Sequence, residues 1–222
     1  MKIRIDLKIL FFLGLFYMTG QIKIYIVIMG FALLHELAHL FVGKLLKFKP
    51  KVIEIMPLGF NAKMVPPYGD YKIKVKKSNI VEVKKIFVAS AGPIFNLILV
   101  IFLIFLWGIA ENTLKTSDNM LILRQTVIYS NFLIFVFNLI PICPLDGGRI
   151  LQSFLRVFLG RKQADKWANN IANIFMILLT ICTSVLILLF RNIAILFVLI
   201  YLWYLVVLEN KRYEIKKKIY EQ

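Results

Sequence analysis

The stretch that decides the fold runs from Ile22 to Leu46 and reads IKIYIVIMGFALLHELAHLFVGKLL. A helix needs roughly 20 apolar residues to cross the hydrocarbon core of a bilayer, and this stretch is longer than that. Besides Lys23 and Lys44 near its ends, the stretch carries two histidines and a glutamate well inside it: His35, Glu36 and His39. Ionisable groups at membrane depth are costly and usually functional. The stretch therefore predicts a transmembrane helix that carries a polar site.

The rest of the chain extends this pattern. Of its 222 residues 60% are hydrophobic, and the mean hydropathy is +0.78, whereas a soluble domain is about 45–50% apolar. We expect an all-α polytopic membrane protein with about six transmembrane helices, of which the first is short. One membrane domain, residues 1–210, is followed by a basic cytoplasmic tail, residues 211–222. The six apolar segments are residues 7–20, 22–46, 86–110, 120–142, 169–190 and 192–208.

The net charge of +16 is explained by membrane topology rather than by a nucleic-acid partner. When the chain crosses the membrane six times, 24 of the 28 Lys and Arg residues fall on one side, at both termini and in the long connections, and 4 fall on the other. The positive-inside rule then places both termini in the cytoplasm. The tail is expected to contact anionic lipid headgroups of the bilayer. The two cysteines, Cys143 and Cys182, show no spacing typical of a disulfide framework.

Two connections have a pattern of their own. Residues 51–85 contain several Pro and Gly residues, and apolar and polar residues alternate from Tyr71 to Lys76. This pattern predicts a small β-element at the cytoplasmic membrane face, between the second and third helices. The alternative is a solvated basic loop. Residues 147–167 mix Arg and Lys with large apolar residues, which favours an amphipathic helix along the membrane surface.

The two histidines are four residues apart, so a helix presents both on one face, where they can bind one zinc ion. Glu36 is the candidate general base that takes a proton from a water activated by the metal. The competing interpretation is a pair of hydrogen-bonded core histidines. The chain has no other histidine, and both lie beside a glutamate in an apolar span, which favours the metal site.

Catalytic zinc takes three protein ligands and keeps one open position, so one ligand must come from elsewhere in the chain. Asp146 follows the fourth apolar segment, in a stretch where Pro and Gly residues end the helix. Asp146 is therefore a candidate for this third ligand. The residues alone leave two alternatives open: it could be a turn aspartate or an ion-pair partner of Arg149. Cys143 is a rival ligand, although a lone cysteine in an apolar segment is often a small buried hydrophobe.

With these pieces assembled, the sequence resembles the zinc site-2 protease family of intramembrane metalloproteases. Three motifs carry the resemblance, and together they cover most of the chain: His35–His39, Gly92–Asn96 and Asn138–Gly148. The family also has a membrane-associated β-element between its second and third helices, where an exposed strand edge could pair with an extended substrate.

The resemblance implies a role for each matching residue. It implies that His35, His39 and Asp146 bind one zinc ion, that Glu36 is catalytic, and that Asn138 polarises the scissile carbonyl or holds its oxyanion. An amide of this kind is a reasonable oxyanion donor. For Asn96 the sequence leaves function and helix packing equally open, because Asn often forms hydrogen bonds between membrane helices.

The expected function is intramembrane proteolysis by a zinc metalloendopeptidase in the cell membrane. Its partners would be a protein substrate with a membrane-associated segment and membrane regulatory proteins. Within the family, the short chain resembles the branch of stage IV sporulation protein FB, which processes the pro-sigma-K precursor in the mother-cell membrane around the forespore. Members of that branch carry a C-terminal CBS domain, for which we expect this tail to be too short.

Other interpretations stay open at this stage. A site-2 protease with another substrate, such as an anti-sigma factor, would have similar motifs. A metal transporter would need acidic or histidine sites at several depths, whereas this chain shows one cluster. An inactive scaffold would bind a precursor without cutting it, but the ligand and base residues are complete.

Overall fold

The computed structural model describes residues 2–57, 59–66, 76–111, 118–190 and 193–221. These residues confirm the predicted class, a predominantly helical polytopic membrane fold with one small β-sheet. In chain order the elements are β1 (Lys2–Ile5), α1 (Lys8–Met18), α2 (Ile22–Leu45), β2 (Lys49–Met56), β3 (Gly59–Val65), α3 (Lys76–Glu111), α4 (Asp118–Leu139), α5 (Asp146–Phe190) and α6 (Ile193–Glu221).

Among the described residues, five helices, α2 to α6, are long and apolar enough to cross a membrane. Large apolar side chains on these helices face outward, as with Ile98, Ile101 and Phe105, which are each more than half exposed. Contact with lipid tails is favourable for such apolar side chains, whereas exposure to water is not. The first predicted segment corresponds to α1, whose 11 residues span only about 16 Å, roughly half of the hydrocarbon core.

The described residues form two compact units. The first contains residues 1–45, 49–65 and 91–138, and the second contains residues 46–48, 66–90 and 139–222. The first unit therefore holds the sheet and α2, and the second holds the beginning of α3 together with α5 and α6.

In the first unit, the sheet is attached to α2. Strands β2 and β3 form an antiparallel hairpin, and β1 pairs with β2 in parallel on the other side, so β3 is an edge strand. The Tyr25 hydroxyl, in α2, donates to the Pro57 carbonyl in the turn between β2 and β3, at 2.9 Å. The Tyr25 ring also stacks on Phe16 of α1, with ring centroids 4.6 Å apart. These contacts fix the hairpin beside the helix that carries the histidines.

The predicted β-element is confirmed by β2 and β3. Of the alternating run that motivated it, Tyr71 to Lys76, all but Lys76 lies outside the described residues. Strand β1 was not predicted, because its four residues look like an ordinary basic start and find their partner only some fifty positions later in the chain. A pairing that depends on a distant strand leaves no local pattern.

In the second unit, α3 begins earlier than the sequence predicted. The β-containing connection was expected to continue to Lys85, but the helix already starts at Lys76, so that prediction was wrong for residues 76–85. Val81 is buried, and the Lys85 ammonium lies 2.8 Å from the Glu82 carboxylate three positions earlier. An amphipathic helix with such i,i+3 pairs is stable without being apolar throughout.

Helix α5 has two arms. Gly160 interrupts it with φ 76° and ψ 170°, a conformation that favours glycine because it has no Cβ. The first arm, residues 146–159, covers most of the predicted amphipathic segment, and the break lies inside that segment rather than at its end. The second arm, residues 161–190, packs on α6, where the Trp203 indole N–H donates to the Thr180 hydroxyl at 3.0 Å. The predicted turn at residues 191 and 192 lies outside the described residues, between the ends of α5 and α6.

Candidate metal centre

The two histidines of α2 form a buried pair. His35 is 5% exposed and His39 is 3% exposed. Their Nε2 atoms lie 3.0 Å apart, and the two ring planes are nearly perpendicular, at 78°. Side chains four residues apart meet on one face of a helix, which explains why this spacing brings the two nitrogens to one point.

This separation fits a shared zinc ion. Zinc binds histidine nitrogens at about 2.0–2.1 Å in a tetrahedral arrangement, which puts two ligand nitrogens about 3.3 Å from each other. The observed 3.0 Å is close to that value. Both Nε2 atoms face the same small volume, so the pair can provide two of the ligands of one ion.

Gly92, on α3, keeps that volume open. A Cβ atom at this position would overlap the Nε2 atoms of both His39 and His35. Only glycine therefore allows the helix backbone to approach the imidazole rings this closely. The sequence identified Gly92 as part of a motif, but its role depends on packing between α2 and α3, which sequence reasoning missed.

Glu36 is held by the sheet. It is 5% exposed, and its Oε1 atom accepts a hydrogen bond from the backbone N–H of Ala62 in β3. This N–H therefore points toward α2 and not toward β2, which is possible because β3 is an edge strand. The structure thus brings together His35, His39, Glu36 and Gly92 in the first unit. No sequence pattern could have identified Ala62, because it acts through its backbone.

Asp146 is the first residue of α5, in the second unit, and is 4% exposed. Its Oδ1 atom lies 3.7 Å from Arg149 Nη1, so the ion pair with Arg149 that the sequence left open is present, although this distance is too long for a hydrogen bond. The turn before it is tight, because a Cβ on Gly147 or Gly148 would overlap backbone atoms of residues 139–143. Its role as the third ligand stays a prediction.

Cys143, the rival ligand, is a poor source of thiolate. Burial, and to a smaller extent the Glu209 carboxylate, raises the pKa of its thiol from 9.0 to about 11. A zinc ligand must be deprotonated, so a raised thiol pKa disfavours ligation. This observation favours Asp146 over Cys143.

Three asparagines in the first unit differ in their partners. Asn138, near the end of α4, donates from Nδ2 to the Ile134 carbonyl at 3.0 Å, which leaves its second amide hydrogen for another acceptor. Asn131 makes the same kind of bond to Val127, at 2.9 Å. Asn96 is fully buried, and within the described part of the chain its amide has no hydrogen-bond partner. Its side chain therefore does not form the interhelical bond that a packing role would predict.

Residues 23–121 and 108–182 match peptidase family M50. The chain belongs to peptidase family M50. Both histidines lie in the first matched region and Asp146 lies in the second, so the resemblance based on three motifs is confirmed at the level of the family.

Two known proteins extend the comparison. The M50 chain is 31% identical over 182 residues to a zinc metalloprotease of Methanocaldococcus jannaschii. This alignment includes 77% of the chain but 48% of the relative, so the chain spans about half the length of that protein. It is also similar in structure to a site-2 protease from Methanocaldococcus jannaschii, with a TM-score of 0.64, 26% identity, and coverage of 93% of this chain and 89% of the other. The M50 chain thus has the site-2 protease fold.

Proposed function

We propose that this protein is a zinc-dependent endopeptidase that cleaves a membrane-associated protein segment near the cytoplasmic membrane face. One observation carries the proposal: two buried imidazole nitrogens lie 3.0 Å apart, with the Glu36 carboxylate on the adjacent residue of the same helix. Membership of peptidase family M50 supports it. The site would hold one zinc ion per chain.

His35, His39 and Asp146 are the proposed zinc ligands. Three protein ligands with one open position is the arrangement typical of catalytic zinc. Asp146 is supported by its burial and by its position in the matched family region. The raised pKa of the Cys143 thiol argues against that residue as a substitute.

A bound zinc ion supplies Lewis acidity, which polarises the peptide carbonyl and makes water a better nucleophile. Glu36 is the proposed general base and then the acid that protonates the leaving amine. The Ala62 N–H orients Glu36 through Oε1, so Oε2 is the proposed proton acceptor. Asn138 would donate its second amide hydrogen to the developing oxyanion, an interaction that can contribute about 2.7–4 kcal/mol in enzymes.

Edge strand β3 is the proposed binding place for the unwound substrate. A transmembrane helix hides its peptide bonds in backbone hydrogen bonds, so it must be locally unwound before hydrolysis. An extended segment can then add to a sheet edge through main-chain hydrogen bonds. The bond from Ala62 to Glu36 shows that this edge lies directly beside the proposed base.

We also propose that both termini are cytoplasmic. Strand β1 pairs with β2, so the N-terminus lies on the same side of the first unit as the connection after α2. That connection is rich in lysine, as is the tail, and the positive-inside rule places such segments in the cytoplasm. The lipid bilayer and membrane regulatory proteins are the remaining proposed partners.

The substrate proposed for the first test is the pro-sigma-K precursor, which would place the protein in the mother-cell membrane around the forespore during sporulation. Resemblance to the sporulation branch of the family supports this choice. An anti-sigma factor is the alternative substrate. Either substrate has a membrane-associated segment that must reach the zinc from the bilayer.

The test is co-expression with pro-sigma-K and, separately, with an unrelated membrane precursor. Cleavage and bound zinc are measured for wild type, for Glu36→Gln, and for the control Glu214→Gln, which makes the same chemical change on an exposed residue of the tail. We expect wild type and the control to cleave, and Glu36→Gln to hold zinc but cleave on the order of 10²–10⁴-fold more slowly.

Other outcomes select the remaining interpretations. Equal cleavage by wild type and Glu36→Gln would contradict the proposed chemistry. A wild-type protein that holds zinc and moves it into liposomes without cleaving either precursor would be a transporter. One that binds a precursor without zinc or cleavage would be a scaffold. Cleavage of the unrelated precursor alone would keep the protease and reject the sporulation substrate.

A further inference from the structure

The second unit contains a buried charge cluster that the proposed chemistry does not use. Its centre is Asp165, on the second arm of α5, which is 2% exposed. The Oδ1 atom accepts hydrogen bonds from Arg156 Nε at 3.0 Å, from Arg156 Nη2 at 2.7 Å and from Gln152 Nε2 at 3.0 Å. The Oδ2 atom accepts one from the Tyr220 hydroxyl, at 3.1 Å.

Arg156 also connects this cluster to α3. Its Nη1 atom lies 3.8 Å from Glu82 Oε2, and the other oxygen of Glu82 accepts a hydrogen bond from Lys85 at 2.8 Å. Two buried carboxylates are therefore matched by two cations. Such buried ion clusters often contribute little net stability compared with apolar packing, because desolvation is expensive. Their better-attested use is to select one arrangement of the elements that carry them.

The cluster lies across the break in α5. Arg156 and Gln152 belong to the first arm and Asp165 to the second, with Gly160 between them. A single glycine with a left-handed φ would let the two arms meet at many angles. The three hydrogen bonds to Asp165 Oδ1 fix one of these angles. The first arm is the one that begins at Asp146.

A small cavity of about 20 Å³ lies between the cluster and the turn before Asp146. Gln152 and Asp165 line it, together with Cys143, which is three residues before Asp146, and Tyr213 and Lys216 of α6. A volume of this size holds about one water molecule. The cavity therefore borders the charge cluster, the turn before Asp146 and the C-terminal part of α6, all within the second unit.

We propose that Arg156 and Asp165 are positioning residues for Asp146: they set the direction of the first arm of α5 and so aim the Asp146 carboxylate at its metal ion. This rests on the proposed function, in which Asp146 is a zinc ligand. Ten helical residues from Asp146 to Arg156 span about 15 Å, so a rotation of about 5° moves the carboxylate by about 1.3 Å. A misplacement of roughly 1 Å can reduce catalysis about 10²-fold.

The test uses the full-length protein in detergent, loaded with zinc or with cobalt(II). Asp165→Asn keeps the size of the side chain and removes its charge, and Glu214→Gln is the control on an exposed helical residue. For Asp165→Asn we expect zinc release to a chelator to be at least 10-fold faster, the visible spectrum of the cobalt form to change, and kcat/KM to fall about 10²-fold. The control should match wild type in all three.

Arg156→Lys separates positioning from simple stabilisation. Lys keeps the positive charge but cannot make the two hydrogen bonds that Arg156 donates from Nε and Nη2 to the same oxygen, Asp165 Oδ1. We expect this variant to keep a melting temperature near that of wild type and yet to show the altered cobalt spectrum and faster zinc release. It also serves as the test if Asp165→Asn does not fold.

The proposal is overturned if the folded variants lower the melting temperature while zinc release and the cobalt spectrum stay as in wild type, since the cluster would then be structural only. A wild-type protein that binds neither metal would instead reject the proposed function itself, so the two failures are distinguishable.

Discussion

At the scale of single residues, the metal site depends on the absence of a side chain at Gly92 as much as on its ligands. We predict that Gly92→Ala lowers zinc affinity by at least an order of magnitude, because the added Cβ would overlap both ring nitrogens. Gly108→Ala, on the same helix, is the matched control, since a Cβ there meets nothing within 4 Å. Zinc titration checks this, and an unchanged affinity of Gly92→Ala would contradict the geometry.

A second prediction at this scale concerns Asn96. Burying an amide without a partner costs about 1–3 kcal/mol, so replacing it by an apolar side chain of similar size removes that cost. We expect Asn96→Leu to raise the free energy of unfolding by about 1 kcal/mol or more. In Asn131 only the Oδ1 atom lacks a partner among the described residues, and Asn131→Leu also loses the existing bond to Val127, so it should gain less. Denaturation in detergent measures both, and a loss of stability in Asn96→Leu would show that the amide is satisfied.

Sequence reasoning was most successful at this scale where one helix decides the geometry. The i,i+4 spacing was enough to predict that His35 and His39 meet, and the structure brings their Nε2 atoms together. It could not predict the approach of Gly92 or the hydrogen bond from Ala62 to Glu36, because each depends on a second element packed against α2. The residue type does not show which backbone N–H group will act as a donor.

At the scale of elements, β3 links substrate binding to the proposed base. Ala62→Pro removes the N–H that holds Glu36, and an edge strand tolerates proline better than a central one. We predict that cleavage falls at least 10-fold while zinc binding remains. Ala62→Gly keeps the N–H and should lose much less activity. Full activity in Ala62→Pro would contradict the orienting role of this hydrogen bond.

Local patterns predicted some elements well and others poorly. The long apolar segments correctly predicted the helices, and the Pro- and Gly-rich connection correctly predicted the β-hairpin. Strand β1, the early start of α3 and the break at Gly160 were missed. Their causes are a distant parallel partner, an amphipathic turn of helix stabilised by Glu82 and Lys85, and the Arg156–Asp165 contact across the break. The first and the third are tertiary effects, whereas the second is a local pair within one helix.

At the scale of the whole molecule, the distribution of charge predicts its orientation. Reporter domains that fluoresce only in the cytoplasm, fused to either end, should both be fluorescent. The physical reason is the lysine-rich character of the tail and of the connection after α2, together with the pairing of β1 with β2. Fluorescence from only one terminus would contradict the proposed topology.

The most direct measurement is X-ray absorption at the zinc edge of the purified, zinc-loaded protein. The ligand set His35, His39 and Asp146 predicts two imidazole nitrogens and a carboxylate oxygen at about 2.0–2.2 Å, with no sulfur. Asp146→Asn should weaken zinc binding and change this spectrum. A sulfur neighbour at about 2.3 Å would identify Cys143 as a ligand, and a protein that retains no zinc would contradict the account as a whole.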